Sequence, residues 1–313
     1  LARWLVDAEN PLTARVIANH LWQIAFGDGL VRTPDDFGLQ GEAPLHPDVL
    51  DWLAVEMIES DWDIKHILRR IVTSETYKQS SDADAESIQR DPANRLLARG
   101  ARYRLPSWMI RDAALTYSGL LNPMVGGPPV MPYQPPGVWE EIFMGRYSYE
   151  PSPGPAQYRR TLYAFWRRSS APTFLFDSAQ RRVCEVKTTR TNTPLHALTL
   201  LNDVGILEAA STIATSELEA CPSCDTIDQR LASIFDRILS RTPDSTELDA
   251  MRESYKQSFA YYTQSPADAK SLISVGQDGP DDRSIDERSV AETAALMIIA
   301  SMVMNLDEAI THE

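Results

Sequence analysis

Apolar residues fall at helical spacing along most of the chain. Leu12, Val16, Ile17, Leu21 and Ile24 recur every three to four positions, which marks one buried face of a helix. Asn10-Pro11 in front supplies an N-cap and a first-turn proline, and Gly27 or Gly29 supplies the stop. His46-Pro47 opens a second helix carrying Leu50, Leu53, Ala54 and Met57. Asp63 caps a third, carrying Ile64, Ile67, Leu68, Ile71 and Val72. The same reading predicts helices over residues 93–99, 107–121, 194–215, 227–239, 246–262, 264–274 and 289–305, the last strongly apolar. Residues 28–45, 79–87 and 276–283 are rich in Gly, Pro, Asp and Ser and read as loops.

Two stretches break the helical pattern. Residues 122–157 hold nine prolines together with Tyr133, Trp139, Phe143, Tyr147 and Tyr149, flanked by Tyr117 and Tyr158. Proline at this density excludes regular helix and central strand, while the aromatic content argues for an ordered loop packed across the domain. Residues 161–166 and 182–187 read as strands. The fold class expected is mainly α, a multi-helix globular domain with a small β element and a long proline-rich ordered loop. The chain divides into an N-terminal helical region (1–121), the loop with its β element (122–193) and a C-terminal helical region (194–313). These three are read as one compact domain. The chain opens Leu-Ala-Arg-Trp inside a predicted helix, which reads as a fragment of a longer protein.

Charge narrows the function classes. The net charge is -14 over 313 residues, which leaves nucleic-acid binding without a basic face. The acidity is uneven. From Arg159 to Arg190 there are eight basic residues against Asp177 and Glu185, whereas from Ile206 onward there are 20 acidic and 8 basic. Such a basic segment attracts an anionic ligand or pairs with the protein's own carboxylates. The three cysteines, Cys184, Cys221 and Cys224, form no disulfide framework. Cys221-Pro-Ser-Cys224 has CxxC spacing without a second pair or a nearby His, and reads as a local disulfide or two idle thiols. The longest apolar run, near residues 294–306, is too short and interrupted to span a bilayer.

Candidate chemistry concentrates at Arg190-Thr191-Asn192-Thr193-Pro194, a helix start with an arginine outside it and His196 one turn inside. A helix N-terminus offers free N–H donors and partial positive charge to a carboxylate, sulfate or phosphate. His196 is placed to act as acid or base there. The alternative is a pairing of Arg190 with Asp177 or Asp203. Arg167-Arg168 extends the basic ligand-binding candidates. Trp139 and Tyr133 offer flat faces to sugar rings, and Glu140 beside Trp139 offers a carboxylate. A glycosidase needs a second carboxylate across the bond, for which Asp36 and Asp112 are candidates. Asp35, Asp36 and His46 form a candidate divalent-cation set in one loop, although loop hydrogen bonding is the favoured reading of them. Arg111-Asp112, Arg167-Arg168 and Phe176-Asp177 also read as parts of a buried ion network.

Several motifs together carry a family resemblance. They are Asn10-Pro-Leu-Thr-Ala-Arg-Val, Phe26-Gly-Asp-Gly-Leu-Val, Asp36-Phe-Gly, Leu50-Asp-Trp-Leu and Thr73-Ser-Glu-Thr-Tyr. They continue in Ile110-Arg-Asp, Gly126-Gly-Pro-Pro, Tyr158-Arg-Arg, Phe165-Trp-Arg-Arg and the run from Arg190 to Asp203. Over nearly its whole length the chain resembles the domain-of-unknown-function family 1553, the C-terminal domain of large planctomycete-type proteins. His20 and Trp108 stand where that family frequently has Arg and Glu.

The resemblance implies a periplasmic or extracellular setting. It also implies upstream domains of the same polypeptide as partners, often including a cytochrome-c-like haem domain. The chain has no CxxCH, so no cofactor is expected within it and any haem would belong to another domain. The function expected is a binding or scaffold module of an exported protein, engaging a sulfated or acidic polysaccharide or a partner domain. The alternative is an enzyme acting on polysaccharide, a hydrolase or an oxidoreductase using haem held elsewhere.

Overall fold

Three buried hydrophobic clusters organise the described residues, one in the first of two compact units and two in the second. The computed structural model describes residues 1–167, 170–177, 186–187, 190–220, 226–276 and 287–312. These fall into two compact units. Unit 1 takes Leu1–Arg104 with residues 186–187 and 311–312, and unit 2 takes the described parts of 105–182 and 190–310. The fold is mainly α, as the periodicity predicts, with one two-stranded sheet.

Unit 1 contains α1 (Ala2–Leu5), α2 (Thr13–Phe26), α3 (Pro47–Glu59), α4 (Ile64–Val72), α5 (Ala85–Arg90) and β1 (Tyr103–Arg104). The apolar face of α2 meets Leu50, Leu53 and Met57 of α3 and Ile67 and Ile71 of α4. The expected caps operate. Asn10 Oδ1 accepts from the amides of Leu12 and Thr13, and Asp63 Oδ1 accepts from Lys65 and His66. The loop after α2 is tied down by Asn19, fully buried, whose amide exchanges two hydrogen bonds with the backbone of Val31 at 2.8 and 3.0 Å. Gly29 lets the chain pass over that amide, since a Cβ there would lie 2.6 Å from Asn19 Nδ2. β1 pairs antiparallel with β2 (Thr311–His312), Tyr103 opposite His312.

Two expectations fail in unit 1. Residues 93–99 form turns rather than a helix. Asp91 draws the amides of Arg95 and Leu96 onto its carboxylate, and Asn94 and Leu97 adopt positive φ. Side chains that bond nearby backbone compete with the helix in this way. Conversely, α5 starts inside the segment read as a loop and runs three residues past it, capped by Asp84 accepting from Ser87.

Unit 2 contains α6 (Ser107–Ser118), α7 (Val138–Ile142), α8 (Pro194–Asn202), α9 (Val204–Ala220), α10 (Ile227–Leu239), α11 (Ser245–Gln264), α12 (Pro266–Ile273), α13 (Glu287–Met304) and α14 (Asp307–Ile310). α13 is the central helix, packed against α9, α10, α11 and α12. Its residues Ala294, Leu296, Met297, Ile299, Ala300 and Val303 are all fully buried, as expected of a helix apolar on every side. Among the described residues no single helix is long and apolar enough to cross a membrane.

The single helix predicted over 194–215 is two helices, bent by 52° at Asp203. Asp203 takes extended backbone and its Oδ1 accepts from Gly205 N at 3.0 Å, starting α9 as an N-cap would. The strand predicted over 161–166 is instead a 3-10 turn, Thr161–Tyr163, followed by a lone bridge from Ala164 to Val130. Val130 sits between Pro128-Pro129 and Pro132, and prolines cannot donate the bonds that would extend a ladder. The strand predicted over 182–187 lies mostly outside the described residues, as do Arg168, Cys184, Cys221 and Cys224.

Candidate functional site

The proline-rich loop poses a hydrogen-bonding problem that builds the site. Proline has a carbonyl but no N–H, so the loop has surplus acceptors. Two buried arginines answer them. Arg159, 1% exposed, donates to the carbonyls of Pro128, Met124 and Gly126, and its guanidinium lies 3.7 Å over the Tyr163 ring. Arg111, on α6, donates to the carbonyls of Arg159 and Gln157 and to Thr161 Oγ1 at 2.9–3.1 Å, and stacks on Phe174. Asp112, next along α6, accepts from both the amide and the hydroxyl of Thr161. The loop is thereby pinned to α6.

An aromatic cluster holds the loop from within. Trp139 is fully buried, its Nε1 donating to Gln134 Oε1 at 2.8 Å, with Phe143, Tyr147, Tyr149 and Phe165 around it. Tyr149 donates to Pro132 O, and burial pushes its phenol up to about 12. Arg167 lies 4.5 Å over Tyr147 and also covers Phe143 and Trp139. The expectation that Trp139 offers a face to a sugar is corrected by this burial, because other rings already cover the indole. Glu140, in the first turn of α7, is half-buried.

Between the loop, α6 and the start of α9 lies a pocket of about 350 Å³, counted out to the solvent at its mouth. Arg111, Tyr133, Gln157, Phe174, Asp203 and Glu208 contribute to its walls. Its interior is narrow and admits slender groups rather than a whole ring. Burial lowers the Arg111 pKa, and the negative charges of Asp112, Asp203 and Glu208 act against that. Tyr158 Oη donates to Glu208 Oε1 at 3.2 Å. The side-chain amide nitrogen of Gln157, a residue only 2% exposed, has no hydrogen-bond partner among the described residues.

The Arg190–Asp203 segment borders this region with a different arrangement from a simple anion cradle. Asp177 accepts from the amide of Thr191 at 2.6 Å and from its hydroxyl at 2.8 Å, so a carboxylate already sits beside the start of α8. His196 is buried and stacks on Phe176 at 4.1 Å, with Nε2 3.9 Å from Asp177 Oδ1. Thr193 is the N-cap residue, yet its hydroxyl makes no capping bond. Arg190 and Asn192 are exposed. Asp203 is engaged by Thr173 Oγ1 at 2.6 Å.

The remaining candidates belong to unit 1, where the cation set does not assemble. Asp36 accepts from Gly38 N, Asp35 from Val186 N, and His46 Nε2 faces Arg95 O. Among the described residues no group of three or more His, Cys, Asp or Glu side chains is placed to hold a metal. Backbone amides in a tight loop claim the carboxylates first.

Of the pocket walls, sequence reasoning named Tyr133 for ligand binding, Arg111 only for an ion network and Asp203 only as a pairing partner of Arg190, and it missed Gln157, Phe174 and Glu208. It counted Arg159 only as one charge of the basic segment. One signal was readable: prolines in such number call for donors, and Arg159 directly follows the loop. No curated protein and no solved structure matches the chain. A family model matches residues 1–255, and the chain belongs to that family, PSD1, described as "Protein of unknown function (DUF1553)".

Proposed function

We propose that unit 2 is a ligand-binding module and that its ligand is a glycan, seated at the Arg111 pocket beneath the proline-rich loop. The observation that supports this reading is the convergence of aromatic walls with opposed polar groups. Tyr133, Tyr158 and Phe174 give apolar faces, while Gln157, Asp203 and Glu208 give polar groups in one concave place, above an Arg111 that is spent on the loop. Pockets that fix small ligands combine apolar lining with a few such groups. Aromatic faces suit the C–H surfaces of sugars, and a mixed donor–acceptor set suits their hydroxyls. The arginines that pin the loop make the walls rigid, which lowers the ordering cost of binding.

Affinity electrophoresis through gels containing neutral and sulfated polysaccharides tests the reading. Wild type is expected to be retarded by at least one glycan. Tyr133→Ala, a truncation of a half-buried wall residue, is expected to lose most of that retardation while keeping a cooperative melt. Unretarded migration across a broad panel would overturn the proposal.

A further inference from the structure

Beside the proline-rich loop stands a cation that the fold does not spend. Arg111 and Arg159 give their forks to carbonyls. Arg230, Arg241 and Arg252 lie against carboxylates. Arg167 does neither. It is exposed, and its side chain makes no hydrogen bond or ion pair with any described residue. Glu140 and Glu141 stand next to Trp139 in the first turn of α7, yet neither pairs with it. Acidic residues outnumber Lys and Arg by 44 to 30, so a shortage of carboxylates is not what leaves Arg167 unpaired. Its anchoring is.

The side chain is held at both ends. At the backbone, Arg167 N donates to Ser170 O at 3.2 Å and Ser170 N to Arg167 O at 3.0 Å. At the tip, the guanidinium carbon lies 4.5, 5.5 and 5.9 Å from the ring centres of Tyr147, Phe143 and Trp139. At such distances the ring faces attract a cation. The rings are themselves fixed, since Trp139 is fully buried and its Nε1 donates to Gln134. This attraction consumes none of the five N–H donors of the group. A second unspent group stands at the same turn. Ser170 is 4% exposed, and its hydroxyl has no partner among the described residues. Residues opposite one another in an antiparallel bridge carry their side chains on one side, so Ser170 and Arg167 share a side.

We propose that Arg167 is a carboxylate-receiving site on the exposed side of the aromatic cluster, distinct from the Arg111 pocket and independent of the glycan reading. A guanidinium edge meets a carboxylate with two parallel N–H bonds to its two oxygens. The rings have already fixed the side chain, which lowers the ordering cost that a long flexible cation pays on binding. A free organic acid and a uronate within a glycan present the same group to it.

Calorimetric titration of the full chain at fixed ionic strength tests the inference, with trigalacturonate, its methyl ester and the galacturonate monomer as probes. Trigalacturonate is expected to bind about tenfold tighter than the ester, which carries the same sugars without the charge. Arg167→Lys keeps the charge and loses the fork. It is expected to weaken trigalacturonate about fivefold or more while keeping a cooperative melt. A monomer as tight as the trimer marks a free organic acid as the ligand, and a tighter trimer marks a glycan; either result supports the site. Should the lysine variant not fold, the Arg167 Nε–H resonance of the wild type decides instead. It is expected to shift as galacturonate is added and to stay in place with the ester. No binding of either acid, an ester as tight as the acid, acid binding indifferent to Arg167→Lys, or an unmoved resonance would overturn the site. The Arg111 pocket is tested separately by Tyr133→Ala, so either reading can fail with the other standing.

Discussion

Arg111 and Arg159 show how a single residue type can set the architecture of a loop. Each carries a fork of donors, and each spends it on carbonyls in or beside the proline-rich segment. In the sequence Arg111 reads as part of a buried ion network and Arg159 only as one charge of a basic segment, because the carbonyls that each of them answers are not visible there. Asn19 plays the same part in unit 1, and its role was invisible for the same reason. Asn19→Ala would leave the amide and carbonyl of buried Val31 unanswered. A loss of about 3 kcal/mol is expected in urea denaturation, and a loss near zero would show that the loop repairs itself.

His312 gives a pH prediction at the same scale. Burial holds its imidazole below the ordinary value, and its ring lies against Tyr77 and Tyr103. As pH falls through about 6.5, the unfolded chain takes up the proton before the folded one does. The contribution is therefore favourable at neutral pH and declines as pH falls from about 6.5 towards the depressed folded value. His312→Phe keeps the ring contacts and removes the titration. Its urea midpoint is expected to change less than that of wild type between pH 7.5 and 5.5. Identical slopes would contradict this.

Helices were legible where caps and periodicity agree, and in α3 the buried residues Leu50, Leu53, Ala54 and Met57 are the predicted stripe. In α2, by contrast, only Leu21 of the predicted stripe is buried and Leu12 and Ile24 are exposed, the core face being taken by Ala18, Trp22, Ala25 and Phe26. Helix ends and breaks were less legible, because a capping side chain decides them. Asp203 is the clearest case. The apolar pattern runs across it unbroken, yet its carboxylate starts a new helix and turns the axis by 52°. The same turn places Asp203, Ile206 and Glu208 along the pocket wall. Asp203→Ala is expected to cost about 1 kcal/mol as a lost cap, somewhat more with the Thr173 bond gone, measured by chemical denaturation. Stability equal to wild type would mean that the bend is held by packing alone. The strand expected over 161–166 fails for a comparable reason, since among the described residues its bridge partner is the proline-flanked Val130.

At the scale of the whole molecule, an acidic composition gave a nucleic-acid role no support and periodicity gave the mainly helical class. The pocket was not legible, because its walls come from residues 111, 133, 157, 174, 203 and 208, distant in sequence and joined only by folding. The motif that looked most chemical, Arg190 to His196, is largely committed locally, with Thr191 on Asp177 and His196 on Phe176. The site proposed above lies instead in a quieter set beneath the proline-rich loop.

A crystal structure of the chain soaked with a saturating neutral oligosaccharide tests that assignment most directly. The account predicts a sugar at the Arg111 pocket, with its ring against Tyr133. A sugar bound elsewhere, or a pocket holding only water at saturation, would contradict it.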